Sequence, residues 1–151
     1  MSIENDIKQK KFNNPYNKLT VNVMFTTGWL LRKYATILKP YNLTEQQYNV
    51  LKTLRESHPQ AATVNFILEG MIDKMSNASR LVDKLVTKDL VRKVRSNHDL
   101  RSVDILLTEK GITLLDELSI VMNDDDNSIC GLNEKEISLL NTLLEKLRNR
   151  R

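Results

Sequence analysis

Residues 63–111 read TVNFILEGMIDKMSNASRLVDKLVTKDLVRKVRSNHDLRSVDILLTEKG, and the changes of period inside this stretch decide the fold. Val64, Ile67, Leu68 and Met71 recur at helical spacing behind Thr63, a residue type that caps helices, so a short helix is expected over 63–71. A turn over 72–75 separates it from a second helix over 76–88, whose inward stripe is Ala78, Leu81, Val82 and Leu85. After Leu90 the period falls to two. Residues 90–95 and 102–107 then read as strands joined by the polar tip 96–101.

Two helices joined this tightly form a helix-turn-helix, an arrangement that offers its second helix to a major groove, and the appended hairpin is a wing. Opposite the apolar stripe of the second helix stand Ser76, Asn77, Arg80 and Lys84, hydrogen-bonding and cationic types at the end that reaches base edges. Charge follows the same geography. Between Lys74 and Arg101 there are 8 basic and 3 acidic residues, a net +5, whereas the whole chain carries +4 and the remainder therefore −1. A positive excess confined to helix and wing is the footprint expected for phosphates; the plainer reading is a solvated basic face.

Four pieces in order resemble the MarR-type (multiple antibiotic resistance regulator) winged-helix transcription factors: Leu43-Thr44-Glu45-Gln46-Gln47, Ser79-Arg80-Leu81-Val82-Asp83-Lys84-Leu85, Asp99-Leu100-Arg101 and Leu107-Thr108-Glu109-Lys110-Gly111. Two departures stand out. Leu100 replaces the middle arginine usual in the wing, and Asp89 stands where the family usually has glycine after the second helix, although aspartate adopts the left-handed conformation less easily. The resemblance implies a mainly α fold, with a winged helix-turn-helix over 41–109 and dimerisation helices over 1–40 and 110–151.

The flanks agree with that division. Residues 18–39 read as a long helix, apolar on more than one side and stopped by Pro40, with Pro15 ending any short helix before it. Thr44 and Gln47 form a capping box for a helix to about residue 56 that buries Tyr48, Leu51 and Leu54. Residues 57–60 are a loop, and Ala61-Ala62 adds a brief strand to the wing. Thr108 opens a helix to about residue 122 with Ile112, Leu115, Leu118 and Val121 inside; residues 123–127 are an acidic loop without calcium-loop spacing. Asn133 and Glu136 make a second capping box before a terminal helix bearing Ile137, Leu140, Leu144 and Leu147. The ends together hold more apolar surface than a 151-residue monomer hides, so a two-fold homodimer is expected.

Only 5% of residues are aromatic and one is cysteine, which favours helices and fits a reducing cytoplasm. No run of about 18 apolar residues exists and the N-terminus lacks a signal-peptide pattern, so no membrane association is expected. With His58 and His98 forty residues apart, there is no metal-ligand spacing, nucleophile elbow, P-loop or dinucleotide fingerprint. Neither an enzyme nor a cofactor is expected.

The expected partner is double-stranded DNA. Asn77 and Arg80 are assigned to base edges, since asparagine suits adenine and arginine guanine. Lys74, Ser76, Ser79 and Lys84 are assigned to phosphates, with Arg95 and His98 beside them. Arg101 is assigned to the minor groove. The resemblance implies that Asp99 orients Arg101; an ordinary turn pair is the alternative, as an Arg80–Asp83 pair is for Arg80. It also implies a small aromatic or anionic effector. Trp29, Arg32, Tyr34 and Tyr48 either line its cleft or fill core and interface. A peroxide-sensing cysteine near the N-terminus, found in one branch of the family, has no counterpart in Cys130. Repression is the family's usual mode. The competing readings are a DNA-binding architectural factor and a winged helix that binds protein or RNA.

Overall fold

The computed structural model describes residues 2–8, 11–96, 103–129 and 131–149. The chain forms two compact units, Met1–Thr113 and Leu114–Arg151. In the first, a short helix α1 (Ile3–Asp6) precedes the long α2 (Pro15–Leu38). A single 3-10 turn (Lys39–Tyr41) leads to α3 (Glu45–Ser57), α4 (Val64–Gly70) and α5 (Ala78–Val86). The strands β1 (Val91–Arg95) and β2 (Val103–Leu107) follow, then the start of α6 (Glu109–Ile129); the rest of α6 and α7 (Glu134–Arg148) belong to the second unit.

Helix α3 is the hub of the first unit. It begins with the expected capping box, Thr44 Oγ1 accepting from Gln47 N at 3.2 Å and Gln47 Oε1 from Thr44 N at 3.1 Å. It packs against α2, α4, α5 and β2. Its buried Val50, Leu51 and Leu54 share the core with Leu38, Ile67, Met71, Val82, Leu85, Val91 and Ile105. Helix α4 comes so close to α3 that a Cβ at Gly70 would overlap the Thr53 side chain. The hairpin is antiparallel with Val91 opposite Leu107 and Arg95 opposite Val103; in place of the brief third strand expected at Ala61-Ala62, Ala62 makes a single bridge to Ile105 and the sheet has two strands among the described residues.

Several expected boundaries are corrected. Pro15 starts α2 instead of ending an earlier helix: it occupies the first turn, where its missing N–H is no loss, behind Asn14, whose side chain accepts from Asn17 N. The helix expected from residue 76 begins at Ala78, because Asp73 folds the residues before it into a separate turn. Residues 123–127, expected as an acidic loop, continue α6. Aspartate and asparagine cost a helix only about 0.7 kcal/mol each relative to alanine, and no glycine or proline lies between Gly111 and Gly131. On α6 Leu115, Leu118 and Met122 are buried, while Val121, expected inside, is 38% exposed. No side chain of α7 is buried. Among the described residues no helix is long and apolar enough to cross a membrane.

Candidate nucleic-acid interface

The outward face of α5 is held out by what its other side buries. Ala78, Leu81, Val82 and Leu85 are all in the core, as the periodicity predicts, so Ser79, Arg80, Asp83 and Lys84 face solvent together. Both helix ends are locked. At the start, Asn77 Oδ1 accepts from Arg80 N at 3.0 Å. At the end, Asp89 N donates to Val86 O and Leu90 N to Leu85 O, the paired bonds of a Schellman motif, with Asp89 in the left-handed position at φ 58°.

The turn before α5 is organised by Asp73, which sequence reasoning passed over. Its carboxylate accepts from Met75 N at 3.0 Å and from Ser76 Oγ at 2.9 Å, while its carbonyl accepts from Ser76 N at 3.2 Å. Asp-Lys-Met-Ser is a legible signal for such a turn, since aspartate side chains bond backbone two residues on. Lys74 Nζ donates to the Glu69 carbonyl. Three of the assigned DNA-contacting residues thus have part of their hydrogen-bonding capacity engaged within the protein: the ammonium of Lys74, the hydroxyl proton of Ser76 and the oxygen of Asn77. Nearby, burial and then the charge of Asp73 raise the pKa of Glu45 above its ordinary 4.5.

On the wing, Arg92, Lys93 and Arg95 are exposed along β1. Lys93 Nζ reaches Asp83 Oδ1 at 2.6 Å, so Asp83 is engaged across to the wing and not by its neighbour Arg80. His98, Asp99, Leu100 and Arg101 lie outside the described residues, as does Cys130.

The four residues considered for an effector are dispersed in burial. Tyr48 is buried, Tyr34 half-buried, Trp29 and Arg32 exposed. Lys33 Nζ stands 5.9 Å from the Trp29 ring centre and Lys52 Nζ 5.9 Å from that of Tyr48. None of the four lines a cleft of about 590 Å³ bounded by Lys39, Asn42, Thr44, Gln47, Lys84 and Lys88. There Lys88 Nζ donates to the carbonyl of Asn42 and, at 2.9 Å, to Gln47 Oε1. Burial and the neighbouring Lys84 charge lower the Lys88 pKa. Among the described residues no group of three or more His, Cys, Asp or Glu could hold a metal ion.

The chain is similar to known proteins in sequence and in fold. A family model described as transcriptional regulator SarA/Rot matches residues 32–118. The HTH-type transcriptional regulator MgrA of Staphylococcus aureus is 33% identical over 111 residues, 74% of each chain. MepR of S. aureus, solved as a complex with DNA, aligns with TM-score 0.74 at 20% identity over 85% of this chain and 92% of its own. Bordetella bronchiseptica BpsR, solved to explain regulation of its DNA binding by 6-hydroxynicotinic acid, aligns with TM-score 0.77 at 19% identity over 93% of this chain and 100% of its own. At such identities the structural likeness is one of fold.

Proposed function

The chain belongs to the SarA/Rot family of transcriptional regulators with the MarR-type winged-helix fold, and on that premise we propose that it is a sequence-specific double-stranded DNA-binding repressor. It acts as a two-fold homodimer on a pseudo-palindromic operator with half-sites about 10–10.5 bp apart, or a multiple of that. The carrying observation is the cationic outward face of α5, set beside the basic strand β1 and held by a fully buried opposite stripe. Arg80 reads base edges; Lys84, Ser79 and Arg95 bear on phosphates. Repression follows from occlusion of the promoter by the bound dimer.

Dimerisation is supported separately within each unit. Helix α2 exposes Tyr16 and Met24 at 76% and 70%, with Trp29 and Leu31 beyond them. Helix α7 exposes Ile137, Leu139, Leu140, Leu143 and Leu147. Apolar surface of this extent left in water on both helices fits a second copy of the chain. A folded monomer at micromolar concentration in analytical ultracentrifugation would remove the dimer.

Relief by a small aromatic or anionic ligand is the further part of the reading, and the regulation of BpsR's DNA binding by 6-hydroxynicotinic acid supports it. In this chain Trp29, Arg32, Tyr34 and Tyr48 carry the aromatic and cationic types such a ligand needs. The cleft lined by Lys39, Lys84 and Lys88, with Glu45 among them, is the other place that offers cationic groups to an anion.

The test of the whole is fluorescence anisotropy against labelled duplex from the chain's own upstream region, beside a scrambled duplex, at low and near-physiological salt. A preference on the order of 10³-fold surviving the higher salt supports the regulator. Equal binding that collapses with salt favours an architectural factor. No binding at either salt turns the helix and wing toward protein or RNA.

A further inference from the structure

The apex of the turn before α5 is apolar, against the character of everything around it. Met75 is 92% exposed and Ile72 83%, between a buried Met71 and the cap residue Asn77. Such exposure gains nothing for the fold, because apolar surface left in water contributes no stability. The polar groups beside Met75 face inward chemically. Ser76 Oγ is bonded to Asp73, Asn77 Oδ1 to the Arg80 amide, and the Lys74 ammonium to the Glu69 carbonyl. A two-bond pairing of Asn77 with adenine would have to share the oxygen that already caps the helix.

Lys74 and Met75 are the two central residues of the turn closed by Ser76 N on Asp73 O. With the Lys74 ammonium bonded to the Glu69 carbonyl, the most exposed large apolar side chain ahead of α5 is that of Met75. The leading end of α5 is the one that enters a major groove. The apolar feature a major groove presents is the thymine 5-methyl group. A flexible, polarizable side chain is well suited to cover it.

We propose that Met75 is a specificity-determining residue that reads one thymine 5-methyl group in each half-site, leaving hydrogen-bonded readout to Arg80. This rests on the DNA-binding reading above and goes beyond it in naming the base feature and the residue that meets it.

The experiment is a uracil scan with the full chain. In the upstream duplex that the wild type prefers over scrambled DNA, each thymine is replaced singly by uracil, which removes the methyl group and keeps the pairing. Affinity is read by anisotropy at near-physiological salt. For wild type, one symmetry-related thymine per half-site is expected to lose about 3–5-fold on replacement, the scale of one methyl group withdrawn from water. In Met75→Ala that thymine becomes indifferent to uracil, and Ile72→Ala keeps the wild-type profile. Circular dichroism checks that the variants fold, as substitutions at exposed positions should. A Met75→Ala profile identical to wild type overturns the inference, as does a profile that moves with Ile72 instead. If Met75→Ala leaves DNA binding wholly unchanged, the inference is likewise overturned, and the exposed turn is left for a protein partner. Absence of any preference over scrambled duplex in the wild type refutes the underlying DNA reading as well, and it is visible before any uracil is introduced.

Discussion

Lys93 Nζ on β1 stands 2.6 Å from Asp83 Oδ1 on α5, joining the wing to the helix that carries the cationic face. The two side chains remain 45% and 61% exposed, so the pair contributes about 0.2–1 kcal/mol to stability at most. Its larger effect is on the field. Asp83 lies on the same outward face as Arg80 and Lys84 and masks one cation of the wing. Asp83→Asn is expected to tighten binding to any duplex at low salt and to steepen the salt dependence. The ratio of specific to scrambled affinity should stay the same. Anisotropy titrations at several salt concentrations check this; a changed ratio would mean that Asp83 orients a base-reading group.

Gly111 is held by a backbone contact rather than by conformational freedom. A Cβ there would overlap the carbonyl oxygen of Leu90, the same oxygen that accepts from Thr108 N at 3.1 Å. Thr108 completes the junction, its Oγ1 donating to Asp89 O at 2.8 Å and accepting from Gly111 N at 3.1 Å. The Leu-Thr-Glu-Lys-Gly run is thus a clasp between the end of α5 and the start of α6. Because the opposing atom is backbone, Gly111→Ala should destabilise by about 3 kcal/mol. Urea unfolding should show this as a lower midpoint with an unchanged slope.

Asp89 has the opposite character, a side chain where none is wanted. It sits at φ 58°, in the left-handed region that costs a non-glycine residue roughly 1–2 kcal/mol. Its bonds at this point are backbone ones: Asp89 N to Val86 O, and Asp89 O accepting from Thr108 Oγ1. Asp89→Gly keeps both bonds and relieves the strain. It is expected to stabilise by about 0.5–1 kcal/mol after the added freedom of the unfolded chain is subtracted. Thermal melts of the two proteins at equal concentration measure it; a loss of stability would show that the Asp89 carboxylate has a structural role.

These elements differ in how far the sequence discloses them. The stripe Ala78, Leu81, Val82, Leu85 is legible because a two-sided helix must repeat its apolar residues at 3.6. The Thr44–Gln47 box is legible because both members lie within one turn. The Lys93–Asp83 pair, the Lys88 bonds to Asn42 and Gln47, and the Gly111–Leu90 contact join residues well apart in the chain, and no local pattern announces them. The boundary errors have a local cause. The Asp73 carboxylate accepts from Met75 N and the start of α5 falls two residues later than expected, while the Asp-rich end of α6 lacks the glycine or proline needed to stop it. The site was legible as a face but not atom by atom. Sequence names Ser76 and Asn77 as polar, and the structure shows which of their atoms are already occupied.

Arg80 and Lys84 lie four residues apart on the exposed face of α5, one turn of helix, and the DNA reading gives them different tasks. Arg80 is nearer the leading end, with a planar fork that matches guanine O6 and N7. Lys84 is further back, beside the cleft with Lys39 and Lys88, and presents a point charge suited to phosphate. Arg80→Ala is therefore expected to cost about 1–3 kcal/mol on the preferred duplex and little more than one charge on scrambled DNA, so the ratio between them falls. Lys84→Ala should weaken both duplexes evenly and flatten the plot of log affinity against log salt by about one unit per protomer. The two variants measured side by side separate base reading from phosphate holding. Uniform loss from both would show that α5 grips the backbone alone, and the readout of sequence would then have to come from the turn and the wing.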